Sequence, residues 1–441
     1  MGANRPRVVI VGAGFGGLTA ALALRAAPVE VVLVDRTNHH LFQPLLYQVA
    51  TASLEPADIA SAVRGIIRRS PNTSFRSEEV TGVDWASRRL HTADGADIPY
   101  DQLVIAGGAD TATYGIPGVA EHAFGLKTLE DAVHLRTHLL RQFEAADRRP
   151  DLLEVGAASV VVVGGGATGV EMAGALVELF HGVLAKDFPA LEVARARVVL
   201  VEAGEALLPP FHRELGDHAR RLLADRGVEV LLGRAVAEVT AERVQLDDGR
   251  TIPTRTVLWA AGVRAAGLAD VLGLEQAGGG RLVVRDDLTV PGRPDVWAIG
   301  DIAAATDAQG RPYPQVAPVA MQAARHVAEQ IQRRLRGETT APFRYLDKGM
   351  MATIGRRAAV TQLPFPFPTR APRPGRRTLR FRGTLAWIMW LFLHLVTLIG
   401  FRNRLSVLLN WAWNYVTSDR AARLILSTPT AVAARTPPPR S

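Results

Sequence analysis

Apolar positions along this chain gather into short continuous runs, and the most prominent runs stop at a glycine cluster or at an acid. Val8–Val11 is followed by Gly12-Ala-Gly-Phe-Gly-Gly17 and an alanine-rich helical stretch, Leu18–Ala27; Val29–Val34 then predicts a second strand ending at Asp35. The same order returns later: strand Ser159–Val163, Gly164-Gly-Gly-Ala-Thr-Gly169, helical run Val170–Phe180, and strand Arg197–Val201 ending at Glu202. β-Branched runs alternating with helices predict an α/β fold whose parallel sheets are covered on both faces.

Each half also carries an alternating excursion. Val80–Val83 and Arg88–His91, with the Asp94-Gly95 turn, return to Leu103–Ala106; Val228–Leu232, Ala237–Thr240 and Val244–Leu246 return to Thr256–Ala260. The supersecondary plan thus occurs twice, starting about 150 residues apart. Asp295–Asp301 reads as a strand running into Gly300-Asp301 and a helical start, and Ala317–Leu335 as a helix. Residues 362–383 read as a Pro/Arg-rich linker, Thr384–Phe401 is nearly all apolar, Leu405–Val416 is rich in Trp and Leu, and 428–441 should be loose. The expected division is 1–120 with 263–340, then 121–262, then 341–441.

The glycine clusters carry the chemistry. In Gly12-x-Gly14-x-x-Gly17 the first glycine permits a tight strand-to-helix turn, the second lets backbone approach a pyrophosphate, and the third lets helix and strand pack closely. Phe15 and Gly16 complete the turn, and Asp35 sits where a carboxylate binds a ribose. Gly164, Gly166, Thr168, Gly169 and Glu202 repeat the logic, with the acid 38 residues after Gly164, so the helix or its following loop is extended. An acid there favours NADH over NADPH. Two dinucleotide sites, with Gly300-Asp301 suited to a flavin's ribityl hydroxyls, are the layout of a hydride relay.

Composition changes the picture in two places. The 441 residues contain no cysteine, which excludes disulfide scaffolds, thiolate metal sites and dithiol redox chemistry. The net charge of +8 suggests nucleic acid at first, but the last 72 residues carry +11 and the first 369 sum to −3. The charge belongs to one end, which argues against nucleic acid. Only Lys127, Lys186 and Lys348 are lysines; the other 48 basic residues are arginine.

With these residues in view the chain resembles the type II NADH:quinone oxidoreductases, flavoproteins with two Rossmann-like domains of the glutathione-reductase type. The resemblance runs over nearly the whole chain through Gly12–Gly17, His39–Ala50, Gly164–Glu171, Trp259–Val263 with Gly262, Ala298–Asp301, Val316–Arg325, Lys348–Gly355 and Ala386–Asn403. It implies FAD in the first site, NADH in the second, quinone (menaquinone or ubiquinone) as acceptor, no metal and no proton pumping. It also places Phe42, Gln43, Pro44 and Leu45 near the flavin ring, and implies that Glu171, Gln322 and Lys348 serve the quinone site. Glu171 reads equally as a first-turn carboxylate complementing its helix dipole. The family's first motif glutamine is replaced here by Pro318. Relatives that act on sulfide or disulfides need cysteines this chain lacks.

Leu385–Phe401 spans 17 residues, about 25 Å as a helix against a hydrocarbon core of about 30 Å. Arginines flank both ends, and Trp387, Trp390, His394, Thr397 and Phe401 share one stripe, with Trp411, Trp413 and Tyr415 beyond. The expectation is a helix lying in the membrane surface on the cytoplasmic face, bound to anionic lipid; a single spanning helix and a dimer-buried helix stay open, as does a homodimer. The rival readings are a soluble FAD-dependent reductase serving a protein carrier, and a flavin-based redox sensor.

Overall fold

The computed structural model describes residues 5–365, 367, 369–370, 377–417, 420 and 422–426. Two sheets organise the body. The first has six strands in the order Thr289–Val290, Arg293–Ala298, Gln102–Ile105, Arg7–Val11, Glu30–Asp35 and Thr73–Ser77; every pair is parallel except the edge hairpin 289–298. The second has five strands, all parallel: Ala123–Phe124, Thr256–Trp259, Ser159–Val163, Arg197–Glu202 and Val228–Leu232. Ser159–Val163 is buried along its whole length, as its unbroken apolar run requires. Helices Phe15–Ala23 and Ala317–Leu335 pack together beside the first sheet, and Ala167–Leu179 packs beside the second.

The excursions form two small antiparallel sheets, 80–84/89–92/97–99 and 236–239/243–246/251–253. Val228–Leu232, expected in the second excursion, instead extends the parallel sheet beside Arg197–Glu202. The helix Arg213–Asp225 intervenes, so the chain makes a crossover rather than a hairpin turn.

The stretch expected as a linker is strand at both described ends. Ala358–Pro364 pairs antiparallel with Met350–Gly355 on one side and Thr378–Arg382 on the other, Gln362 opposite Arg380. Pro364 ends its strand, where a missing N–H costs least. Residues 371–376 and the tail 428–441 lie outside the described residues.

Two helices follow, Gly383–Thr397 and Phe401–Thr417. The apolar run expected to reach Phe401 breaks earlier, because Leu398 is extended and Gly400 turns the chain with φ +90°. Fifteen residues span about 22 Å. The aromatic stripe also changes meaning: Trp390 is 1% exposed and packs inward, while Leu385, Ile388, Phe392, Leu393 and Val396 face outward. Among the described residues, Ala167–Asp187 is long and apolar enough to cross a membrane, but two thirds of it is buried as the core helix of the second sheet.

Candidate functional site

Both glycine turns are built by the same steric rule. Gly12 and Gly164 have φ of +105° and +109°, and a Cβ on either would strike a carbonyl, Ala106 O at 2.3 Å or Ala260 O at 2.6 Å. A Cβ on Gly17 or Gly169 would sit 1.7 or 1.8 Å from the carbonyl of the first glycine, so helix and strand close completely. The middle glycines behave oppositely. Nothing lies within 4 Å of the Cβ position of Gly14 or Gly166, leaving open space at the N-terminus of each helix, as a pyrophosphate cradle requires. Thr168 is exposed beside the second opening.

The strand-end acids latch these turns. Asp35 accepts from Ala13 N–H at 2.6 Å and from Thr37 N–H and hydroxyl at 2.7 and 2.8 Å. Glu202 accepts from Gly165 N–H with one oxygen and from Gly204 N–H at 2.7 Å with the other. The long interval before Glu202 is taken up by a π-helical turn, Phe180–Leu184, that widens the fingerprint helix before the loop.

At the first crevice Phe15 meets His40 and Phe42 edge-on, with centroids 5.1 and 5.8 Å apart, and Gly16 packs against Ile299. Phe42 and Leu45 are buried, and Pro44 shapes a 3-10 turn leading into the short helix Leu46–Ala50. Gln43 donates to Lys127 O at 3.0 Å. Gly300 turns with φ +74°, and burial raises the Asp301 carboxyl while Lys127 draws it back. The helix expected directly after Asp301 is only a 3-10 turn. Gly262 lies under Tyr114, whose hydroxyl would overlap any Cβ there.

Glu171 lies in the second turn of Ala167–Leu179, not the first, so the dipole reading does not apply. It is half-buried against the cavity wall, and burial pushes its carboxyl up to about 8 against donors from Thr353 N–H (3.2 Å) and the Trp390 indole. It lines a cavity of about 560 Å³ together with Tyr47, Gln48, Trp390, Trp411 and Arg420. Hydrogen bonds run along its wall: Trp411 Nε1 donates to Gln48 Oε1 at 2.8 Å, Gln48 Nε2 to Tyr47 OH at 2.9 Å, and Tyr47 meets the Thr353 hydroxyl at 3.1 Å. His394 stacks on Trp390 at 4.0 Å and meets Phe42 edge-on at 6.2 Å, linking the cavity to the first crevice; burial holds its imidazole down near 4, hence neutral.

Gln322 and Lys348 stand apart from Glu171. The Gln322 amide clamps Leu346 through both backbone groups at 2.9 Å, and Lys348 is exposed two residues on. Neither lines the cavity. Residues that the sequence reading passed over, Tyr47, Gln48 and Thr353, make the polar contacts there instead, and Lys127 receives Gln43 at the first crevice. Tyr47 and Gln48 carried a signal in retrospect, being polar groups in an apolar helical stretch.

Comparison with known proteins fits this geometry. Residues 6–324 match the pyridine nucleotide-disulphide oxidoreductase family, and residues 348–418 match the NDH2 C-terminal domain. Two type II NADH:quinone oxidoreductases of Mycobacterium tuberculosis are 38% and 40% identical, over 95% and 96% of this chain and 89% and 90% of their own length. The chain belongs to the type II NADH:quinone oxidoreductase family. A Staphylococcus aureus member is 32% identical over 80% of this chain and 89% of its own. The fold agrees with that of Plasmodium falciparum NDH2 in complex with NADH, at TM-score 0.82 and 18% identity over 96% of this chain and all of that one. It agrees less closely with a sulfide:quinone oxidoreductase of Aquifex aeolicus, at 0.68, 18% identity, and 91% and 92% coverage. Unlike disulfide-reducing members of the broader family, this NADH:quinone oxidoreductase relative has no cysteine to exchange.

Proposed function

We infer that this chain is a membrane-associated, non-pumping NADH:quinone oxidoreductase that takes hydride from NADH through FAD and passes two electrons to quinone. The observation that carries the reading is Glu171. It stands on the helix of the second dinucleotide turn, and it also lines the cavity shared with the C-terminal helices. The carrier-protein alternative has no comparable support, since the match to the quinone-reducing family includes its C-terminal domain.

FAD supplies the two-electron store between NADH and quinone. Gly12, Gly14, Gly16, Gly17, Asp35, Gly300 and Asp301 would hold it, with Phe15 and Phe42–Leu45 packing beside its ring; the open helix terminus at Gly14 and the buried Asp301 suit such a group. Gly164, Gly166, Thr168, Gly169 and Glu202 would hold NADH, with Gly262 at the junction. Sheet membership supports a FAD domain of 1–120 with 263–340, an NADH domain of 121–262, and a quinone-site and anchoring region of 341–441.

Reduction of a quinone consumes two protons, and the protonated Glu171 carboxyl is a donor already in the cavity. Gln322 and Lys348 act, in this reading, from outside it. The apolar outer faces of the two C-terminal helices lie in the membrane surface, where anionic lipid meets the terminal arginines on the cytoplasmic side.

Steady-state oxidation of NADH by the full-length protein in lipid vesicles, with menaquinone and ubiquinone analogues compared against a ferredoxin-type carrier, tests the reading. Flavin absorbance and quinone-dependent turnover are expected; turnover with the carrier alone would refute it.

A further inference from the structure

Lysine occurs at only three positions against forty-eight arginines, and one of the three lies beside Gln43 and in the field of Asp301. Lys127 immediately precedes the capping residue of the Leu129–Arg148 helix. Its backbone is pinned on both sides: its N–H donates to Asp131 Oδ2 at 2.9 Å, and its carbonyl accepts from Gln43 Nε2 at 3.0 Å. Its side chain is not pinned. Among the described residues the ammonium makes no ion pair and no hydrogen bond, although it feels the fields of Asp301 and Asp110.

Burial works against that charge and the two acids only partly compensate. A partly buried ammonium without an acceptor is costly unless a bound group supplies one. What the position supplies is a positive charge, which a guanidinium would also carry. Gln43, which holds the Lys127 carbonyl, and Asp301, which with Asp110 acts on the ammonium, come from the two segments assigned above to the flavin.

We propose that the Lys127 ammonium is the counter-ion of the bound flavin, stabilising the negative charge that FAD acquires when it is reduced. Hydride transfer converts NADH and FAD to NAD⁺ and the monoanion FADH⁻, so the step needs no added proton and leaves one negative charge on the ring system. A fixed positive charge favours that product over oxidised FAD and raises the cofactor's potential. The proposal rests on the FAD reading, and the two fail in different ways.

The test compares the full-length holoprotein with K127Q and K127R in flavin content, two-electron midpoint potential and affinity for sulfite, which adds to oxidised flavin and leaves a similar negative charge on it. K127Q should weaken sulfite binding at least tenfold. It should also lower the potential by about 30 mV or more, the equivalent of tenfold in a two-electron equilibrium. K127R should stay within about threefold on both. Normal flavin content in K127Q with unchanged potential and sulfite affinity overturns the proposal. If K127Q retains too little FAD to titrate, K127R decides: a tenfold loss there, with the charge kept, equally overturns it. Parent protein purified without any flavin would instead overturn the FAD reading.

Discussion

Trp411 donates its indole N–H to the Gln48 side-chain carbonyl at 2.8 Å, joining the last helix to the short helix that follows the Phe42–Leu45 turn. The bond belongs to a polar stripe on the inward face of Phe401–Thr417. Asn403 donates to Ser61, Ser406 and Asn410 to Asp58, and Asn414 to Ser53 O. Beyond Arg402 and Arg404, which are exposed in its first turn, the outward face is apolar: Leu405, Leu408, Leu409 and Trp413 are exposed, and Phe401 and Val416 are each 81% exposed. This helix is amphipathic with its polar side toward the protein, the reverse of a soluble surface helix. Such a continuous exposed apolar face is what a lipid surface covers.

The triple variant L405S/L408S/L409S should therefore detach the protein from lipid while leaving its fold intact. Burying one leucine side chain is worth about 1.5–3 kcal/mol, so three account for an affinity change on the order of 10³ or more. Co-sedimentation with vesicles measures it. The variant should remain in the supernatant and still oxidise NADH with a water-soluble quinone analogue; continued sedimentation would move the anchor elsewhere.

Asp58 is the acceptor that seats this helix. It is buried, and it takes Ser406 Oγ at 2.6 Å, Asn410 Nδ2 at 3.0 Å and Glu55 N–H at 2.9 Å. D58A strands all three donors and should cost about 2–4 kcal/mol, the range for bonds to a charged group left unmade. Urea unfolding of the detergent-solubilised protein would register the loss, and S406A alone should lose much less. Equal stability of D58A and parent would show that the helix is held by apolar contacts alone.

Glu202 does two jobs with two oxygens, holding Gly165 N–H and Gly204 N–H. E202A should raise the KM for NADH by loosening the turn and should erode the preference for NADH over NADPH by removing a charge that repels a 2′-phosphate. E202Q restores acceptor geometry for one N–H and removes the charge, so it should recover part of the KM without the selectivity. The ratio of kcat/KM for the two nucleotides separates these effects. Unchanged selectivity in both variants would remove Glu202 from nucleotide recognition.

The dinucleotide turns were legible in the sequence because their constraints are local. Gly12, Gly17, Gly164 and Gly169 are dictated by backbone contacts within one strand–turn–helix unit, and the acids follow at a strand end. The helix Ala317–Leu335 was equally plain from its period. What failed to show was long-range. Trp390 and His394 lie on an apolar helix whose inward side is chosen only by the cavity it covers, so their stripe read as membrane-facing when it packs against Glu171 and Phe42. Val228–Leu232 alternates poorly enough to suit either a hairpin or a sheet edge, and the preceding helix decided it. Lys127 was invisible as a site residue because its neighbours, Gln43 and Asp301, are 84 and 174 positions away in sequence.

Glu171 makes the sharpest prediction, because its titration has consequences for both stability and turnover. Burial lifts the carboxyl from 4.5 to about 8, so the folded protein keeps a proton that the unfolded chain releases. The stabilising effect is complete below about 4.5 and is lost as pH rises toward 8, beyond which the slope vanishes. E171Q cannot ionise, so its thermal midpoint should fall less than the parent's between pH 5 and 8. In the turnover proposed above the acid form is the proton donor, so parent kcat with a saturating quinone analogue should decline as pH rises through about 8. E171Q keeps a hydrogen-bond donor but no transferable proton, and its kcat should drop on the order of 10² while becoming flat over the same pH range. A parent profile without that alkaline limb, or an E171Q profile that retains it, would assign the proton to another group along the Tyr47–Thr353 wall.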